Sequence, residues 1–239
     1  MADKPLWSLR RLWPVLAIVA GIVLFFALGG SRLLSFAELQ RHHEELALFV
    51  AAHYLQAVLA YMTIYVLVVA FSLPGGAVLT VAGGFMFGAI AATCYIVVAA
   101  TVGAILLFLA ARSALGEPLR ARAGPWLIKL AAGFHDNAWS YMLILRLVPL
   151  FPFFVVNLVP AFLGVSLRCF AVTTFFGIIP ATCVYALVGT GLEDAIASGG
   201  DLTAALSPGV LGALLGLAVL SALPILFKRL AARRNTTHE

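Results

Sequence analysis

Hydrophobic residues in this sequence gather into long runs that are separated by short polar breaks, and few charges fall inside the runs. Roughly 20 apolar residues are enough for a helix to cross the hydrocarbon core of a bilayer. The pattern therefore predicts an all-α, polytopic membrane protein with about five or six membrane segments. The runs fall at about residues 12–30, 55–73, 74–88, 89–111, 138–160, 165–190 and 208–227.

The stretch between the first two runs, residues 31–54, alternates apolar with charged positions. Such spacing is typical of a helix that lies in the membrane interface with its apolar side on lipid. Residues 12–30 follow basic residues, as in a signal peptide, but no clear small-residue cleavage site follows them, so we expect an uncleaved first helix. These two helices form the first predicted domain, residues 1–54.

The segment LPGGAVLTVAGGFMFG, residues 73–88, is too short for a comfortable crossing and is rich in helix-weakening residues. Proline removes a backbone donor, and glycine weakens a helix. Backbone groups freed in this way are tolerated at membrane depth only where protein or a wet cavity covers them. We therefore predict a re-entrant, broken helix here. Its candidate residues are Pro74, Gly75, Gly83, Gly84 and Gly88.

A second interrupted segment, LRLVPLFPFFVVNLVP at residues 145–160, occupies the corresponding place in the second half. Pro149 and Pro152 interrupt it, and Gly164 follows before another long apolar run. Paired interrupted segments in two halves indicate a transporter-like site built from internal repeats. We predict two re-entrant elements in inverted repeats, within a membrane core at residues 55–190.

Composition supports the membrane class, because 63% of the 239 residues are hydrophobic and 10% are charged. A soluble domain of this length cannot hide so much apolar surface. The formal net charge of +5 comes from basic clusters beside the apolar runs, as in positive-inside topology. A nucleic-acid surface would need a continuous basic face, so we expect no nucleic-acid partner.

The basic clusters place the N-terminus, residues 112–137 and the C-terminal tail in the cytoplasm, whereas the acidic segment 191–201 suits the outer side. With these sides fixed, the chain must cross an odd number of times between residues 54 and 112. If the first broken helix enters the membrane and returns to the same side, the two long runs around it, 55–73 and 89–111, supply two crossings. One of these predictions is therefore wrong. The last predicted domain, residues 191–239, holds a final membrane helix and a basic tail.

Two features that could suggest metal binding have simpler explanations. Cys94, Cys169 and Cys183 are isolated and lack CxxC spacing, so we interpret them as small packing residues. The HHEE stretch at residues 42–45 lacks HExxH spacing and a second ligand cluster. Adjacent helical residues also point in different directions, so this stretch suits the solvated face of the interfacial helix. The sequence predicts neither a metal nor a cofactor.

Arg146 is the residue that most needs an explanation, because a charge at helix centre costs roughly 2.5–3.5 kcal/mol on insertion scales. It could snorkel to the interface or cap carbonyls freed by Pro149 and Pro152. Alternatively it binds a lipid phosphate, which suits its planar fork of donors. Asn157, deeper in the segment, either satisfies backbone groups of the opposing element or offers a polar step along a headgroup path.

Catalytic motifs are absent from the sequence: it has no GxSxG elbow, Walker motif, HExxH or paired intramembrane carboxylates. The candidate hydroxyls have no evident base nearby in sequence, so we expect no enzyme activity. These hydroxyls belong to Ser72, Thr80, Thr101, Thr173 and Thr174.

The two stretches FSLPGGAVLTVAGGFMFG and LRLVPLFPFFVVNLVPAFLG resemble the VTT domain, also called the SNARE-associated Golgi protein domain, of the DedA superfamily. The resemblance covers about residues 70–190, and its most specific part is Arg-x-x-Pro-x-x-Pro-x-x-x-x-Asn paired with the proline-glycine segment. It implies a polytopic inner-membrane protein with two re-entrant loops that face each other. It also implies lipid translocation: bacterial relatives are associated with undecaprenyl phosphate recycling and envelope homeostasis, and eukaryotic relatives with phospholipid scrambling.

By motif, the resemblance places Arg146, Pro149, Pro152, Asn157 and Gly164 in the second re-entrant element, on the substrate path. DedA proteins proper carry acidic residues around the first element, whereas FSLPGGAVLTVAGGFMFG contains no carboxylate. This difference argues against proton-coupled antiport and against undecaprenyl phosphate as substrate. The sequence is more similar to the branch that includes the yeast Golgi Tvp-type proteins and many bacterial homologues.

The leading hypothesis is a non-enzymatic transporter or scramblase that moves phospholipid or polyprenyl phosphate across the inner cell membrane, with cytoplasmic termini. Its expected partners are membrane lipids with anionic headgroups, and homo-oligomerisation is left open. An ion or small-solute permease could use the same repeats. A structural assembly factor for envelope proteins is a third reading. A membrane phosphatase would need a nucleophile or metal that the sequence does not offer.

Overall fold

The computed structural model describes residues 43–121, 137–147 and 153–197, together with the single positions Ala20, Leu211, Gly212, Leu215 and Ala218. Regular structure in these parts is entirely helical, as predicted. The helices are α1 (His43–Ala52), α2 (Tyr54–Ala70), α3 (Gly76–Phe87), α4 (Ala89–Ala121), α5 (residues 137–147), α6 (Phe153–Phe162) and α7 (Leu167–Ala197).

The predicted break in the first half lies between α2 and α3. The chain leaves α2 through Ser72 at φ 53° and enters α3 through Gly75 at φ 115°. Glycine adopts such left-handed backbone without steric cost, and the proline at position 74 cannot continue the preceding helix. Leu79 N–H then donates to the Gly75 carbonyl at 2.9 Å, which is the first hydrogen bond of α3. The Pro-Gly pair therefore forms the tip of a helical hairpin.

Contacts between α2 and α3 show that the hairpin closes back on itself. Near the tip, the Tyr65 hydroxyl lies 2.9 Å from the Thr80 hydroxyl. At the open end, the rings of Tyr54 and Phe87 meet edge to face with centroids 6.0 Å apart. Helix α3 therefore runs antiparallel to α2 and returns to the level at which α2 begins.

Helix α4 starts at that level and continues to the opposite end of the bundle. The hydroxyl of Tyr95 lies 3.0 Å from that of Tyr54. Further along, a Cβ on Gly103 would lie 2.7 Å from the carbonyl oxygen of Val66, so α4 runs parallel to α2. Residues 55–73, predicted as a crossing, form one limb of a hairpin with α3. The number of membrane crossings between residues 54 and 112 stays a prediction.

The order of elements repeats in the second half. A short helix, a glycine with positive φ and a long helix follow one another twice, with Gly88 (φ 75°) before α4 and Gly164 (φ 79°) before α7. Residues other than glycine rarely adopt these positive φ angles, so both positions favour glycine. The ring centroids of Phe108 and Phe170 lie 4.4 Å apart, which places the far part of α4 beside the start of α7. The two long helices therefore run in opposite directions.

Each short helix packs against the long helix of the other half: α3 contacts α7, and α6 contacts α4. The contact between α3 and α7 is close because glycine residues lie at it. A Cβ on Gly84 would lie 2.7 Å from the backbone carbon of Ala186, and one on Gly189 would lie 2.8 Å from the nitrogen of Phe85. The Thr190 hydroxyl donates to the Gly84 carbonyl at 3.0 Å. Small residues that let helix backbones touch are typical of membrane helix pairs.

Two helices end later in the chain than the sequence predicted. Residues 112–121 were predicted to belong to a cytoplasmic loop, but α4 continues to Ala121. The helix continues although this stretch contains Gly116 and Pro118, which disfavour helix. Likewise α7 extends into the predicted acidic segment as far as Ala197, through leucine, glutamate and alanine, which favour helix. By length and composition, 89–113 and 167–193 are the two described stretches that could cross a membrane.

Helix α1 covers the end of the predicted interfacial segment and packs on α2 and α3. Its Val50 is buried, whereas Leu48 and Phe49 are exposed. The remainder of that segment, the first predicted membrane helix and most of the last one lie outside the described residues. The interfacial orientation of α1 stays a prediction.

The close contact of α3 with α7 predicts that Gly84→Ala destabilises the protein, because the new methyl group collides with backbone that cannot move independently. Overpacking of this kind typically costs about 1–3 kcal/mol. Gly76→Ala is the matched control, since a Cβ there meets nothing within 4 Å. Thermal unfolding of the detergent-solubilised protein should show a lower midpoint for Gly84→Ala than for Gly76→Ala. Equal midpoints would contradict the close packing.

Candidate functional site

A cavity of about 470 Å³ lies where the tip of the α2–α3 hairpin meets the second half of the molecule. Its walls come from α2, from residues 73–77 at the tip, and from α5, α6 and α7. Most of the lining side chains are apolar, and Pro74, Ala77 and Tyr185 on its wall are exposed. The cavity therefore joins both halves and reaches the molecular surface at these residues.

Arg146, near the end of α5, lies on the wall of this cavity. Its Nη1 donates to the Asn157 Oδ1 on α6 at 2.9 Å, and its Nη2 donates to the Thr174 hydroxyl on α7 at 2.7 Å. Asn157 is fully buried, and Thr174 is 1% exposed. Both acceptors are neutral, and no carboxylate of the described residues pairs with the guanidinium. The arginine is therefore held in place while its charge is left uncompensated.

The third guanidinium nitrogen of Arg146 has a different environment. Its Nε is buried and has no hydrogen-bond partner within the described structure. A buried donor without an acceptor is unfavourable, and more so in a charged group. Nε itself has almost no accessible surface, so Arg146 lines the cavity through other atoms of its side chain, and a ligand there reaches Nε only if the guanidinium shifts.

Two residues of α7, Phe170 and Gly177, shape the space around the arginine. The Phe170 ring lies 5.0 Å from the guanidinium carbon, which gives a cation–π contact. A Cβ on Gly177 would lie 2.6 Å from the Cβ of Arg146, so a larger residue there would displace it. Thr174 and Gly177 lie roughly 10–15 Å along the helix from Leu167, at 1.5 Å per residue. The guanidinium is therefore well inside the bundle.

The first turn of α3 lines the same cavity. Gly75 precedes the helix without a side-chain cap, and the first turn has no acidic residue. The amide N–H groups of residues 76–78 have no acceptor within the helix and carry the positive end of the helix dipole. Such a terminus favours anions. Both halves of the protein thus present positive electrostatic potential to one cavity.

A short hydrogen-bond chain fixes that first turn. The Tyr65 hydroxyl on α2 contacts the Thr80 hydroxyl at 2.9 Å, and Thr80 donates to the Gly76 carbonyl at 2.8 Å. One turn away, the Tyr61 hydroxyl donates to the Leu79 carbonyl at 2.8 Å. Two tyrosines of α2 therefore hold the start of α3 in position.

The structure divides the residues predicted as functional. Arg146, Pro74 and Gly75 line the cavity. Asn157 accepts a hydrogen bond from Arg146. The remaining glycines have packing or turn roles: Gly83 lies against Tyr61, Gly84 against α7, and Gly88 and Gly164 at positive-φ turns. Pro149 and Pro152 lie outside the described residues.

Sequence reasoning missed four residues of the site, namely Tyr65, Phe170, Thr182 and the role of Thr174 as an acceptor for Arg146. All four are compatible with an ordinary apolar helix, so nothing in the local pattern distinguishes them. The described residues hold no group of three or more His, Cys, Asp or Glu side chains that could bind a metal ion.

Comparison with known proteins gives a family match from the tip of the α2–α3 hairpin to the later part of α7. The VTT domain model matches residues 73–191. Transmembrane protein 41B of Gallus gallus is 28% identical over 180 residues, which is 74% of this chain and 65% of that protein. Transmembrane protein 41B of Homo sapiens is 27% identical over 180 residues, 74% of this chain and 60% of that protein. The transmembrane protein 41 homolog of Dictyostelium discoideum is 30% identical over 146 residues, 59% of this chain and 43% of that protein.

The chain therefore spans less than two thirds of the length of these relatives. No solved structure matches it.

The bond between Arg146 and Asn157 predicts a positive coupling energy in a double-mutant cycle. Asn157→Ala should destabilise the protein because it leaves a buried guanidinium nitrogen unpaired, and the loss should shrink when Arg146 is already methionine. A hydrogen bond to a charged group is worth about 1.5–3 kcal/mol, and we expect a coupling of that order. Reversible unfolding in mixed micelles would measure it.

The matched control for that cycle combines Arg146→Met with Thr101→Val. The Thr101 hydroxyl donates to its own helix at the Val97 carbonyl, 2.7 Å away. Those two changes should be additive within about 0.5 kcal/mol. Additivity of the Arg146 and Asn157 changes as well would show that the bond contributes nothing to stability.

Proposed function

Because the chain belongs to the VTT-domain family, we propose that it is a non-enzymatic membrane protein that moves phosphate-bearing lipids across the bilayer. The observation that supports this most directly is Arg146, a permanent charge on a cavity wall whose hydrogen-bond partners among the described residues are both neutral. A guanidinium presents a planar set of donors that matches phosphate oxygens. The substrate class is phospholipid or polyprenyl phosphate.

In this proposal the α2–α3 and α5–α6 pairs are re-entrant hairpins, and α4 and α7 are spanning helices. The apolar parts of α4 and α7 comprise 25 and 27 residues, which is enough to cross a hydrocarbon core about 30 Å thick. Their opposite directions make the two halves inverted repeats. Sites in such architectures lie near the midplane, between broken helices, and the cavity at the hairpin tip fits that position.

A mechanism follows from the composition of the cavity. The phosphate leaves the headgroup layer for a site with positive potential, while its acyl or prenyl chain stays in lipid beside the exposed rim. None of the described residues that line the cavity is a carboxylate, so nothing there couples movement to proton uptake. Movement is then passive and equilibrates the two leaflets. We place the protein in the inner cell membrane with cytoplasmic termini, in line with the positive-inside pattern.

Lipid movement should depend on Arg146. In liposomes that carry labelled phospholipid or labelled polyprenyl phosphate, Arg146→Ala should slow transbilayer movement by about tenfold or more, because a charge-assisted hydrogen bond worth about 1.5–3 kcal/mol is lost. Arg146→Lys keeps the charge but not the fork and should be intermediate. Arg168→Ala is the control, since it removes an exposed arginine from α7. It should leave the rate unchanged.

The same vesicles separate the rival functions. Arg146-dependent flux of trapped small anions without lipid movement would assign the protein to the solute permeases. Absence of any movement, together with full rescue by Arg146→Lys in a cell-envelope assay, would favour a structural assembly factor. Either result would overturn lipid transport for folded protein.

A further inference from the structure

We propose that Thr182 on α7 and the first turn of α3 complete, together with Arg146, a binding site for a phosphate group, and the use of this site by a lipid rests on the function proposed above. The three components belong to three helices and line one cavity. The sequence marks Arg146, but neither the sequence nor the family match assigns a role to Thr182.

Thr182 differs from the other helical threonines of the described structure. Those threonines each donate their hydroxyl to a backbone carbonyl about one turn earlier, which satisfies the group within its own helix. They are Thr63, Thr80, Thr93, Thr101, Thr173, Thr174 and Thr190. Thr182 is 6% exposed, lines the cavity and forms no such bond within the described residues. Thr182 is therefore a buried residue whose hydroxyl lacks a partner among the described residues, and a ligand in the cavity can supply one.

The first turn of α3 supplies backbone donors to the same space. Residues 74–77 line the cavity, and Gly75 leaves the start of α3 without a side-chain cap. A helix start alone would not identify a site. Here, however, the guanidinium of Arg146 and the hydroxyl of Thr182, a residue that is 6% exposed and has no hydrogen bond among the described residues, line the same cavity. These independent observations all call for an acceptor.

Two buried hydroxyls on the wall are already satisfied. The hydroxyls of Tyr65 and Thr80 bond to each other, and Thr80 also bonds to Gly76. Asn157 and Thr174 each accept one N–H from the two terminal nitrogens of Arg146. The other N–H groups of the guanidinium, the Thr182 hydroxyl and the amides of a helix start are left as donors for a ligand.

This set of donors defines the ligand class. Arginine and amide groups can only donate, so the ligand must offer acceptors and is best anionic. Donors from three helices surround the ligand, which suits a tetrahedral phosphate better than a planar carboxylate with two oxygens. The remaining wall is apolar, as in Val68, Leu73 and Ile178. A phosphate attached to an apolar group therefore fits both parts of the cavity.

Binding of soluble probes tests the site without requiring transport. The full chain in detergent would be titrated calorimetrically with dihexanoyl phosphatidic acid, with inorganic phosphate and with dihexanoylglycerol, which lacks the phosphate. We expect phosphatidic acid to bind and dihexanoylglycerol not to bind. Thr182→Val, which keeps the shape but removes the hydroxyl, should weaken phosphatidic acid binding about tenfold. Thr182→Ser should restore affinity to within about twofold of wild type, because it returns the donor.

Thr101→Val is the matched control, because its hydroxyl is buried and bonded inside α4. It should bind phosphatidic acid as wild type does. Affinity that is unchanged in Thr182→Val, at an unfolding midpoint equal to wild type, would overturn the inference. Equal weakening by Thr182→Ser and Thr182→Val would also overturn it, since the effect would then follow packing rather than the hydroxyl.

The inference and the proposed function fail in different experiments. If inorganic phosphate binds as tightly as phosphatidic acid in a Thr182-dependent manner, the phosphate site stands and its use by a lipid is wrong. If Arg146→Ala stops lipid movement while Thr182→Val binds and moves lipid normally, the proposed function stands and the role of Thr182 is wrong.

Discussion

A guanidinium enclosed in an apolar helical bundle is the constraint on which much of this structure depends. Arg146 cannot lose its charge, so its surroundings must supply partners. Asn157, Thr174 and the Phe170 ring provide them from two other elements, and Gly177 leaves space for the side chain. A carboxylate in their place would cancel the charge. Neutral acceptors instead fix the geometry and leave the positive potential available to the cavity.

The first half adds to that potential by a different route. Pro74 and Gly75 end the turn so that α3 begins at the cavity, and the tyrosines of α2 hold this start in position. Two positive features that line one cavity raise its electrostatic potential unless something negative lies between them. The absence of acidic side chains among the described lining residues leaves that potential uncompensated. This arrangement links the two halves electrostatically as well as through packing.

The sequence was informative where a residue type is out of place in its surroundings. Pro74 and Gly75 could be predicted to break a helix, and Arg146 to need a partner, because each is costly in an apolar run. Thr174 and Thr182 could not be found this way, since a threonine normally satisfies itself within a helix. The extent of the first hairpin was also hidden, because hydropathy does not distinguish a limb that returns from one that crosses. Only contacts such as that of Tyr54 with Phe87 decide it.

The packing of α3 against α7, the long helix of the other half, has a consequence for synthesis of the protein. Gly84 accepts its hydrogen bond from Thr190, which lies 106 residues later in the chain. At roughly 5–20 residues per second, the ribosome needs about 5–20 s to make that segment. During this interval the glycine face of α3 has no α7 to cover it. The packing of α3 is therefore completed only after the second half has been translated.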